Sequence, residues 1–138
     1  MASLQAMTAL GARGAAVIEI GPLRITERTD LALASVAARR GRMADLAAAA
    51  KSAGVPLPEA ARHQAGAPYS AFWTAPEMWF VEAPYGSHEL IADLLKTALG
   101  DAASITEQTD AWVAFDLAAA DLAPVLERLC NVDFRSAP

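Results

Sequence analysis

Two histidines and a single cysteine are the first residues to question for chemistry in this 138-residue sequence. His63 lies in a proline-bounded loop, and His88 falls in the first turn of an expected helix, between Ser87 and Glu89. Neither has a Cys, His or carboxylate at ligand spacing, so no zinc site is expected. Ser87, His88 and Glu89 together could serve acid–base chemistry, but a helix cap with surface charges explains them better. Cys130 belongs to the apolar face of the last expected helix and reads as a small buried hydrophobe, not a nucleophile. Glu77, Glu82, Glu107 and Asp110 are scattered around turns, and a general base needs a partner or a pocket to tune it. No G-x-S-x-G elbow, Walker loop or G-x-G-x-x-G occurs. The residues alone assign no catalytic, cofactor-binding or metal-binding position.

The bulk composition narrows the classes further. Basic and acidic residues number 11 and 16, a formal charge of −5, which argues against a nucleic-acid partner because phosphate binding needs a positive footprint. The apolar fraction is 54%, but 34 of those residues are Ala, which leaves an ordinary supply of large core side chains. No run approaches the roughly 18 apolar residues of a spanning helix, so no membrane partner is expected. One cysteine excludes an internal disulfide framework and suits a reducing compartment. Residues 1–16 lack a charged n-region before an apolar core and read as a mobile leader ahead of a single α+β domain over 17–138. Arg13 with no acid before Glu19 leaves a transit-peptide reading open beside a cytoplasmic default.

Positioning elements follow from periodicity. "VIEI" (Val17 to Ile20) and "LRITER" (Leu23 to Arg28) are expected strands, from their β-branched residues and the alternation of Leu23 and Ile25 with Arg24 and Thr26. "LALASVAAR" (Leu31 to Arg39) is read as a third strand despite the helix preference of Ala, because Arg39-Arg40-Gly41 ends it before a clearer helical pattern. That helix spans Arg42 to Ala53, with Met43, Leu46, Ala47 and Ala50 on one stripe and Gly54 as C-cap. "VPLPEAARHQAGAP" is a loop. "YSAFWT" and "EMWFVEA" form a hairpin around Ala75-Pro76. A helix capped by Ser87 carries Leu90, Ile91, Leu94, Leu95, Ala98 and Leu99 and stops at Gly100. "SITEQT" and "AWVAFDL" are expected strands, and a last helix starts near Asp121 with Leu122, Val125, Leu126, Leu129 and Cys130 on one face.

From Leu31 to Thr109 the order is β-α-β-β-α-β, the ferredoxin-like arrangement with helices on one face of an antiparallel sheet. The hairpin is apolar on both parities: Trp73, Trp79 and Val81 on one, Phe72, Met78 and Phe80 on the other. Something is expected to cover the second face. Phe72, Trp73, Trp79 and Phe80, with the basic pair Arg39 and Arg40, are therefore the candidate partner interface. A plain solvated turn remains the alternative reading of the arginines.

Three segments together resemble a known family. They are "IGPLRITERTDLALASVAARRGR" (Ile20 to Arg42), "AFWTAPEMWFVEAP" (Ala71 to Pro84) and "DAWVAFDL…APVLERLCNVDF" (Asp110 to Phe134). They are similar to the gamma subunit of heterotetrameric sarcosine oxidase, with "SVAARRG" and "LERLCNVD" the most specific pieces. The tryptophan hairpin also resembles the strand pair of the folate-binding aminomethyltransferase fold. The resemblance implies an accessory subunit of an oxidase that demethylates sarcosine to glycine, forms hydrogen peroxide and hands the one-carbon unit to tetrahydrofolate. It places FAD, FMN, NAD, zinc and tetrahydrofolate on the partner alpha, beta and delta chains and none on this one. The family's gamma chains continue beyond the "ERLCNVDF" segment, whereas this sequence stops at Pro138.

Two other classes compete. A small folate-binding or one-carbon transfer domain would stack a pterin on the hairpin and meet a glutamate tail with Arg39, Arg40 or Arg42. An ACT-like domain would bind an amino acid at a homodimer interface, on fold analogy alone.

Overall fold

The computed structural model describes residues 5–130. They form two compact units, Asp30–Trp112 and the flanking segments from Met1–Thr29 and Val113–Pro138. No helix among the described residues is long and apolar enough to cross a membrane.

The contiguous unit is built on the strand expected with the least support from propensity. β3 (Leu31–Ala38) lies between β6 (Met78–Pro84) and β7 (Ala103–Glu107), antiparallel to both. Ala32, Ala34 and Val36 are wholly buried on one face. Two ladders and a buried face outweigh the modest helix preference of alanine. With β4 (His63–Gln64) and β5 (Ser70–Ala75) the sheet order is β4-β5-β6-β3-β7. Setting aside the two-residue β4, which falls in the segment expected to be loop, this is the expected ferredoxin-like order, α+β and antiparallel. The helices α1 (Met43–Ala53) and α3 (Ile91–Leu99) bury Leu46, Ala50, Ile91, Leu95 and Leu99 together with Ala71, Trp79, Val81 and Ala83 of the sheet.

Helix ends show what holds this layer in place. α1 stops at Gly54 (φ 68°), whose N–H bonds to the Lys51 carbonyl while Val55 N–H reaches the Ala50 carbonyl at 2.9 Å. This is a Schellman closure, with Val55 turned into the core. The second expected helix differs from expectation. It divides into a single turn, α2 (Tyr85–His88), and α3, with Leu90 between them in a non-helical conformation. Ser87 does not cap it: its hydroxyl donates back to the Pro84 carbonyl at 3.3 Å. The first turn of α3 is served by a strand residue, Glu107 Oε2, which accepts the Ala92 N–H at 3.1 Å. Leu90 and Leu94 consequently fall outside the buried stripe, at 64% and 43% exposure.

The flanking unit is a three-stranded antiparallel sheet of β1 (Val17–Ile20), β2 (Leu23–Arg28) and β8 (Ala114–Ala118), in the order β1-β2-β8. "AWVAFDL" thus begins its strand at Ala114, and Trp112 lies outside it. The last expected helix is one regular turn, α4 (Ala123–Leu126), with Asp121 Oδ1 accepting the Ala123 N–H. Leu129 and Cys130 lie beyond that turn and are exposed, so Cys130 is not the buried hydrophobe that its spacing indicated. The rest of the "LERLCNVD" motif, after Cys130, lies outside the described residues.

Candidate functional site

The hairpin decides which aromatic side chains are available. β5 and β6 are joined by Pro76 and Glu77, Pro at the first corner and a positive φ of 58° at the second, the combination found in type II turns. A register shift at Thr74 follows, and the two strands then pair Trp73 with Trp79 and Phe72 with Phe80. Strand alternation sends these pairs to opposite faces. Trp79 points into the helix layer, is 5% exposed, and donates its Nε1–H to the Pro58 carbonyl at 2.8 Å. Trp73 packs against the edge of the same core.

Phe72 and Phe80 occupy the second face, half-buried, in an edge-on contact with ring centroids 5.4 Å apart. The third tryptophan comes to meet them. Trp112 stands edge-on to Phe80 at 5.4 Å and is 59% exposed. A relay of side chains fixes it there: Trp112 Nε1–H donates to Gln108 Oε1, and Gln108 Nε2–H donates to the Ser35 hydroxyl. Ser35 is paired with Phe80 across the β3–β6 ladder. The result is a row of three aromatic rings, Phe72–Phe80–Trp112, with Met78 (41% exposed) at one flank. At the other, Glu82 accepts from the Ser70 hydroxyl at 3.0 Å and lies 3.6 Å from His63 Nε2.

Arg39 and Arg40 are exposed just past the end of β3, at the hairpin-turn end of the sheet, where Ala38 N–H bonds to the Glu77 carbonyl. Arg42 is engaged otherwise. It pairs with Asp45 and with Asp101 at 3.3 Å, joining the start of α1 to the turn before β7. The hydrogen bond to Asp45 and the charge of Asp101 raise its already high pKa.

Other polar groups do not converge on a reactive centre. Ser87 Oγ and His88 Nδ1 are 2.8 Å apart, but both belong to the short α2, and the His88 ring stands edge-on to Tyr69 at 5.2 Å. An open groove of about 230 Å³ runs between the end of α1 and the β4 loop, with Lys51, Val55, Gln64, Gly66 and Tyr69 in its lining. Burial raises the Tyr69 phenol pKa. Among the described residues no three His, Cys, Asp or Glu side chains gather as metal ligands would. A row of aromatic rings with Met and Arg nearby has the composition of a protein-contact surface.

Sequence reasoning missed Trp112, Gln108 and Ser35, because the first was read as part of a strand. It also missed Glu27, the one buried charged residue among the described residues. The signal for Glu27 was present: it shares strand parity with Leu23 and Ile25.

No family model matches this sequence, and no curated protein matches it. Among solved structures, a chain of the heterotetrameric sarcosine oxidase from Corynebacterium sp. U-96, in complex with pyrrole 2-carboxylate, is similar. The TM-score is 0.62 at 20% identity, over 80% of this chain and 57% of that one. This chain therefore spans a little over half the length of the chain it matches, and its fold is similar to that of a heterotetrameric sarcosine oxidase chain.

Proposed function

We propose that this chain is an accessory, non-catalytic subunit of gamma type in a sarcosine-oxidase-like complex. The observation that carries the reading is the fold likeness to a chain of a heterotetrameric enzyme. The three sequence segments that resemble the gamma subunit support it. On this reading the complex demethylates sarcosine to glycine with formation of hydrogen peroxide and passes the one-carbon unit to tetrahydrofolate. FAD, FMN, NAD, zinc and tetrahydrofolate are bound by alpha, beta and delta partner chains in a cytoplasmic assembly. The task of this chain is structural. Phe72, Phe80, Trp112 and Met78 supply an aromatic contact surface on the second sheet face, with Arg39 and Arg40 at one end. Trp79 contributes to the chain's own core and Trp73 to its edge.

Co-expression with candidate alpha, beta and delta chains tests the proposal directly. A tag on this chain should bring down all three, with flavin absorbance in the eluate. Recovery of a solitary chain, with the flavoprotein active and complete without it, would exclude the subunit role.

A further inference from the structure

Glu27 is 2% exposed, although it lies in the small β1-β2-β8 sheet. By alternation it shares a face with Ile18, Ile20, Leu23, Ile25, Phe115 and Leu117. The other charged residues of the three strands belong to the opposite face. There Arg28 meets Asp116 at 3.1 Å and Arg24 meets Glu19 at 4.0 Å.

The Glu27 carboxylate is received by the segment that precedes β1. Oε1 accepts the Leu10 N–H at 3.2 Å, and Oε2 accepts the Ala16 N–H at 3.0 Å. Glu27's own N–H returns a bond to the Ala16 carbonyl at 2.8 Å. Between these anchors the segment closes on itself, with Thr8 N–H bonded to the Ala12 carbonyl and Gly11 N–H to the Thr8 carbonyl. Little apolar burial helps: Leu10 is 50% exposed and Met7 66%. Arg13, its one charged residue between positions 8 and 16, is exposed. A segment of small residues with so little buried surface stays ordered only through its polar anchors.

We propose that residues 8–16 form a detachable strap over the Glu27 end of the small sheet, with the Glu27 carboxylate as its clasp. When the clasp opens, residues 8–16 are freed and the buried Glu27 carboxyl is uncovered. The direction with pH follows from the same contacts. Burial raises the Glu27 pKa, but the bonds from Ala16, Thr8, Leu10 and Ala9 outweigh it and hold the carboxyl below its ordinary value near 4.5. A depressed acid favours the closed form above the ordinary value and loses that contribution as pH falls through the depressed one. The strap is thus shut at neutral pH and released in acid.

Amide hydrogen exchange on the full chain tests this, read as protection factors so that the intrinsic pH dependence is removed. In Glu27→Gln at neutral pH, protection at Leu10 and Ala16 should fall about tenfold or more, the scale of losing a charge-assisted bond. Protection at Ile25 and Thr26 in β2 and at Val36 and Val81 in the other unit should hold. Trypsin should cut after Arg13 faster in the variant. The unmodified chain should show the same selective loss below about pH 4.5, the ordinary carboxyl value. Unchanged protection at Leu10 and Ala16 would overturn the proposal. So would a loss extending through β2 and β8, which would make Glu27 a support of the sheet itself.

Discussion

Trp79 and Trp112 both carry a hydrogen-bonded indole N–H, yet their exposure differs by an order of magnitude, 5% against 59%. Replacing each by alanine should therefore do different things. Trp79→Ala removes a ring from the helix layer and leaves the buried Pro58 carbonyl without its donor, and should cost about 3–5 kcal/mol in urea denaturation. Trp112→Ala should shift stability by no more than about 1 kcal/mol, since surface changes are small. On the proposed function it should weaken assembly with the partner chains about tenfold or more, as an aromatic anchor does. A large loss of stability from Trp112→Ala with assembly intact would assign that ring to the fold alone. The residue identities were readable in the sequence, but their division between faces was not. Both hairpin parities are apolar, and only the pairing across the turn decides which ring meets the helices.

At the scale of elements, the strands were legible where alternation or β-branching spoke, as in Leu23–Arg28 and Met78–Pro84. α1 was legible because its stripe, its Gly54 stop and its flanking charges agree. The break between α2 and α3 was not. Ser87 is a good capping residue by type, and nothing local reveals that Glu107, fifteen positions beyond Ala92, takes that task. Long-range caps of this kind leave no mark in a local pattern. The hairpin turn carries its own prediction. Glu77 holds a positive φ of 58° that side chains tolerate poorly, and its side chain is exposed. Glu77→Gly should stabilise the chain by about 0.5–1 kcal/mol, relieving the left-handed strain. A destabilised variant in thermal denaturation would mean that the glutamate side chain matters more than the turn.

For the whole molecule, every apolar residue buried among the described residues, from Ala32 to Ile105, lies in the unit Asp30–Trp112. That unit should fold by itself. A fragment of residues 30–112 is expected to unfold cooperatively, with the circular dichroism of a mixed α/β layer, and a featureless melt would show that it depends on the flanking sheet. The flanking unit is assembled from chain on both sides, since β2 pairs with β8 across the whole intervening fold. Synthesis proceeds from the N-terminus, so β1 and β2 leave the ribosome before the larger unit and β8 leaves after it. The inserted fold can be complete while its host sheet is still a lone hairpin, and two strands alone are marginal in water. The free edge of β2, from Arg24 to Arg28, must therefore wait for a partner made last. A stall or truncation before Ala114 would yield a chain with a sound centre and an adhesive beginning, which quality control would meet as a folded protein with one unpaired sheet edge.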